Sequence, residues 1–148
     1  MVGHSSNFYN ALPVQLLPPL ARPASAVSQS VDLQNNDSAT FVISVGAAGD
    51  TYSAINRIEA SIQESDDNVT FTPVADSDLQ RVVSGGQATG TFLVLNANAQ
   101  AGQVYRTAYT GNKRYARVAL NNYGTTTNGT PMDVLALLGR PRLAPVVG

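Results

Sequence analysis

The sequence predicts an all-β fold: an antiparallel, jelly-roll-like β-sandwich with an extended proline-rich N-terminal arm and a short C-terminal tail. Three observations predict it. Apolar and polar residues alternate with period two in several short segments. Clusters of Asn, Asp, Gly and Pro separate those segments, as turns do. The best exposed-helix formers are scarce: Lys113 is the only lysine, Glu59 and Glu64 are the only glutamates, and Asn and Thr, twelve each, supply the polarity. A chain of 148 residues that is 43% hydrophobic is one domain's worth of core.

Taken in chain order, residues 1–30 read as the arm. The run Leu12-Pro13-Val14-Gln15-Leu16-Leu17-Pro18-Pro19-Leu20 is apolar but has neither helical nor alternating periodicity. Its prolines remove donors and hold the backbone extended. At about 3.1 Å per residue, about 25 such residues reach roughly 75 Å. The arm has two destinations, its own domain or neighbouring subunits. The sandwich is expected over residues 31–139, with strands at 39–45, 57–64, 69–74, 90–95, 103–110, 114–120 and 132–138. Ile58, Ala60 and Ile62 face inward in the second of these, as do Phe41, Ile43 and Val45 in the first. Ser65-Asp66-Asp67-Asn68 reads as a four-residue hairpin turn, with Pro73 placing the next strand at an edge. Gly111-Asn112-Lys113 turns the chain between two strands, and residues 121–131 form a long polar loop. Residues 140–148 repeat the character of the arm and form the C-terminal tail.

Composition excludes several function classes. Without cysteine there is no disulfide or zinc-thiolate chemistry. A net charge of −1 disfavours direct nucleic-acid binding through a basic face. The longest apolar stretches, such as 134–138, fall far short of the roughly 20 residues a spanning helix needs, so no membrane partner is expected. Ala24-Ser25-Ala26 looks like a signal-peptidase site, but no Lys or Arg precedes the apolar stretch and three prolines interrupt it, so no leader is read there.

Candidate chemistry is sparse, and no cofactor is expected. His4, the only histidine, lies in the arm rather than on a rigid scaffold. Ser84-Gly85-Gly86 reads as a loop, not a phosphate cradle. Glu64, Asp66, Asp67, Asp76 and Asp78 are the best cation candidates, since hard cations want clustered oxygens; their spacing matches no calcium loop, and turn formation accounts for them. Arg117 and Tyr115 share a strand face, opposite Ala116, Val118 and Leu120; with Lys113 and Arg114 they form the one basic concentration, a phosphate grip or an intersubunit contact. Tyr105, Tyr109 and Tyr115, placed on neighbouring strands, make either a sugar-stacking platform or cross-strand packing.

Several segments together resemble a family of small tailed-phage and gene-transfer-agent virion proteins. They are Asp32-Leu33 with Asp37-Ser38-Ala39-Thr40-Phe41-Val42; the run from Ile62 through Asp66-Asp67-Asn68 to Val74; Val104-Tyr105-Arg106 leading to Tyr115-Ala116-Arg117-Val118; and Gly139-Arg140-Pro141-Arg142-Leu143-Ala144-Pro145. The resemblance covers about residues 31–145. It implies a non-enzymatic head protein: a capsid decoration or cement protein on the outer surface of the phage head. Its partners would be the major capsid protein and copies of itself, as a trimer. The arm lies outside the resemblance. As a strap across capsid subunits it would anchor through Leu12, Val14, Leu16, Leu17 and Leu20, with Arg140 and Arg142 as a second contact. Two alternatives remain, a head–tail connector or tail protein and a carbohydrate-binding sandwich. On the cement reading, low charge becomes a property of interfaces, where lysine and glutamate are depleted.

Overall fold

The computed structural model describes residues 10–83 and 85–142. Two antiparallel sheets pack face to face, as the sequence predicts. Sheet A holds β1 (Ala11–Arg22), β10 (Thr130–Pro141), β4 (Asn36–Val45) and β8 (Val104–Tyr109), side by side in that order. In sheet B, β9 (Tyr115–Tyr123) and β5 (Arg57–Ser65) run down the middle. The short β2 (Ala26–Val27) and β3 (Val31–Asp32) flank β9; β6 (Thr72–Pro73) and β7 (Thr91–Leu95) flank β5. Sheet B therefore also has four strand positions. The chain crosses between sheets after β1, β3, β4, β7, β8 and β9, the alternation that characterises a jelly roll.

Period-two patterning builds the interface between the sheets. Ala39, Phe41, Ile43 and Val45 of β4 meet Met132, Val134, Ala136 and Leu138 of β10 on one inner face; Ile58, Ala60 and Ile62 of β5 and Ala116, Val118 and Leu120 of β9 line the other. All are buried in one continuous core. β7 reads as a continuous apolar run because a bulge opposite Ala60 and Ser61 turns Phe92 inward beside Leu93 and Leu95.

Two sequence expectations need correction. First, the N-terminal segment is not an arm. β1 is a twelve-residue edge strand paired to β10 from Ala11↔Gly139 to Arg22↔Thr130, and β2 and β3 follow it into sheet B. The domain boundary at residue 30 is thus inside the sandwich, and β10 carries the other boundary past residue 139 to Pro141. Second, the turn after β5 is a six-residue loop, because Asp67 Oδ1 accepts from the backbone N–H of Val69 (2.9 Å) and Thr70 (2.8 Å), leaving neither free for a ladder. Asn68 sits in the left-handed region there, at φ 59°. Residues 110–114 turn the chain between β8 and β9, as expected, and carry it from one sheet to the other. Residues 1–9, Ser84 and 143–148, including His4, lie outside the described residues. No helix of the described residues is long and apolar enough to cross a membrane.

Candidate interaction surfaces

The residues expected as arm anchors divide by the pleat of β1. Leu16 and Leu17 are buried in the domain's own core, at 2% and 7% exposure, and Leu12 and Val14 pack half-buried against it. These four hold β1 to the sandwich and are not free to grip another subunit. Leu20 alone of the five is exposed, at 57%. The missing periodicity has a physical cause: register shifts between Gln15 and Leu17, and again before Leu20, place two consecutive leucines inside. The prolines fit because an edge strand has one side with no ladder to complete.

Arg140 and Arg142 lie at one end of the sandwich, in an open cleft with Lys113, Arg114, Asp37 and Asp66. Sequence-distant charges meet there in pairs. Arg114 forks onto Asp32, with Nη2 to Oδ2 at 2.7 Å and Nε to Oδ1 at 3.1 Å; that hydrogen bond holds the Asp32 carboxyl below its ordinary value. Lys113 Nζ donates to Asp66 Oδ2 (2.5 Å) and Arg142 Nε to Asp37 Oδ1 (2.6 Å). Arg140 has no carboxylate partner among the described residues and occupies the left-handed region at φ 50°, uncommon for a branchless long side chain. Under the cleft, Tyr109 Oη donates to Glu64 Oε2 (2.5 Å) and accepts from the Lys113 backbone N–H (3.0 Å). Burial, then the Glu64 hydrogen bond, raises the Tyr109 phenol above its ordinary pKa, so it stays a protonated donor. Gly111 lies close against this tyrosine, since a Cβ there would collide with the Tyr109 ring and hydroxyl. Among the described residues the cleft is a set of ion pairs with Arg140 unpaired beside them.

The outer face of sheet B carries Val27, 50% exposed opposite Ala119, but the arginines of its central strands are engaged within the chain. At one end Arg57 stacks on Tyr123, 4.3 Å to the ring centroid, and donates through Nε to Glu59 Oε1 at 2.7 Å, with Glu59 only 2% exposed. At the other, Arg117 stacks on Phe71 at 3.8 Å and donates to Gln63 Oε1 at 2.8 Å. Arg117 and Tyr115 share this face, as the alternation of β9 predicts, but the guanidinium is engaged within the chain.

The outer face of sheet A is different. Register places Pro13, Leu137, Thr40 and Ala108 in one row across the four strands, and Gln15, Leu135, Val42 and Arg106 in the next. Asp133, Ser44 and Val104 follow in a third. Leu137 is 39% and Val104 66% exposed, with Val42 and Leu135 half-buried. Arg106 and Asp133, the two charges in these rows, have no ion-pair partner among the described residues. Sequence reading missed this face. Its signal was present: in 132–138 and 39–45 the outward-phase residues Leu135, Leu137 and Val42 are apolar too, so alternation fails where two apolar faces share a strand.

The remaining candidates do not converge. Tyr105 and Tyr109 point inward from β8, with Tyr105 Oη donating to Gln100 O (2.8 Å), while Tyr115 lies on β9 in the other sheet; they form no platform. Of the acidic group, Asp66 pairs with Lys113, Asp67 closes its loop, Glu64 accepts from Tyr109 and Asp76 accepts from the Gly90 N–H at 2.7 Å. Among the described residues no three acidic or histidine side chains are grouped to hold a metal.

No family model matches the chain, and no curated protein does. Among solved structures it is similar to the crystal structure of the SPBc2 prophage-derived protein YomS, at 13% identity and a TM-score of 0.48, over 95% of this chain and 100% of that one. A likeness of that degree carries no argument about function.

Proposed function

We propose that this chain is a non-enzymatic structural protein of a phage virion, a decoration or cement protein on the outer surface of the head, with the major capsid protein and copies of itself as partners. The resemblance of residues 31–145 suggests the class. The observation that carries an assembly role is the uncovered outer face of sheet A, apolar across Pro13, Leu137, Leu135, Val42 and Val104. The largest contiguous apolar patch on a soluble domain is often a contact site.

The mechanism changes with the fate of β1. A rigid jelly roll, not a flexible strap, would bear on the shell, and its capsid contact falls to the charged end. Arg140 has no carboxylate partner among the described residues, is flanked by the Arg142–Asp37 pair, and has a left-handed backbone, the sort of strain that collects at binding sites. The test is to mix the purified chain with capsids lacking it and sediment them. Hundreds of copies per particle are expected, and fewer for Arg140→Glu with Arg142→Glu. No co-sedimentation overturns the reading, and a stoichiometry of six or twelve assigns the chain to a connector or tail ring instead.

A further inference from the structure

We propose that the outer face of sheet A is the contact between two copies of this chain, related by a two-fold axis. The inference rests on the assembly reading above and names the occupant of its apolar face. The charges on that face select the occupant. Arg106 stands on the edge strand β8 and Asp133 on β10, two strands away, with Val42 and Ser44 of β4 between them. One cation and one anion among neutral residues, apolar but for Gln15, Thr40 and Ser44, make a surface complementary to itself. In a two-fold pairing, Arg106 of each copy meets Asp133 of the other, so both charges gain partners they lack in the monomer. An unrelated protein docking here would have to match the same pattern by separate means.

Area sets the strength. Four strands about 4.8 Å apart, each offering about six residues at about 3.4 Å, span roughly 400 Å² of flat face. Stable pairs bury about 800 Å² per partner, so this contact is weak in dilute solution and favoured where copies are concentrated, as on a particle. A self-complementary face closes on itself as a dimer, in place of the trimer expected from the sequence.

Sedimentation equilibrium on the full chain tests this, with thermal unfolding to confirm that each variant folds. The wild type should dimerise reversibly below about 0.5 mM. Arg106→Asp and Asp133→Arg should each weaken dimerisation about tenfold or more, since each places like charges together. The double variant Arg106→Asp/Asp133→Arg should restore it, and Leu137→Arg should abolish it. A wild type that stays monomeric to that concentration, or a double variant no better than the singles, overturns the proposal. Particle binding by a strictly monomeric chain would refute the pairing and leave the decoration reading standing. Dimerisation without particle binding would do the reverse.

Discussion

The two sheets share one core but turn opposite surfaces outward. On sheet B, each arginine of the central strands is spent within the chain: Arg57 on Tyr123 and the buried Glu59, Arg117 on Phe71 and Gln63. On sheet A, Leu135, Leu137 and Val42 lie open, and Arg106 and Asp133 are unpaired among the described residues. A face whose polar groups are satisfied internally gains little from covering, because a partner would have to break those contacts. A face of partly exposed aliphatics gains from covering alone. The low charge of this chain is therefore not evenly committed: the arginines of the central strands of sheet B are engaged within the chain, whereas Arg106 and Asp133 on sheet A have no ion-pair partner among the described residues.

Four changes probe the contrast. The largest effect belongs to the strand that completes sheet A. Leu16→Ala should destabilise the domain by about 3 kcal/mol, by lost burial and the cavity left in the core; chemical denaturation measures it. A free arm would show almost no change. Next, Arg57→Ala leaves the Glu59 carboxylate buried without its cation and should cost about 2 kcal/mol, with Arg57's partial exposure softening the loss. Arg117→Ala removes one stack and one hydrogen bond and should cost about 1 kcal/mol. On the other face, Leu137→Ser should move stability by less than about 0.5 kcal/mol while weakening self-association, a split between unfolding and sedimentation that no sheet B variant should show.

The smallest effect is local and depends on pH. The Thr70 and Val69 backbone N–H groups and the Ser65 hydroxyl hold the Asp67 carboxyl down to about 2. A folded pKa below the unfolded value means the contribution is complete above about pH 4 and lost as pH falls through 2. Val69 and Thr70 amide shifts should titrate with that midpoint, and Phe71, at the end of the same loop, should loosen from Arg117. Asp67→Asn should remove the titration. Sheet A's outer face should not respond in parallel.

How much was legible in the sequence follows from which signals were purely local. The strands at 39–45, 57–64, 114–120 and 132–138 fall where alternation placed them, because Ile58-Glu59-Ala60-Ser61-Ile62 and its like encode one buried face directly. β1 was illegible because its bulges break the period and its prolines mimic a polyproline arm; only the ladder to β10 reveals it as an edge strand. The pairing of Asp32 with Arg114 and of Asp37 with Arg142 spans most of the chain, and no spacing rule reaches that far. Arg140 and Arg142 were named from sequence and do stand exposed in one cleft. Leu12, Leu16 and Leu17 of β1 were named for the wrong reason: their hydrophobicity serves the chain's own core, while Leu20 stands exposed.

Cryo-electron microscopy of virions carrying this chain tests the central claim most directly, because it shows which face is covered. The account predicts copies on the outside of the head in two-fold pairs, with the Leu135, Leu137 and Val42 face of sheet A buried between them. The Arg57 and Arg117 face of sheet B should look into solvent. Bound copies with sheet A open to solvent and sheet B covered would contradict it.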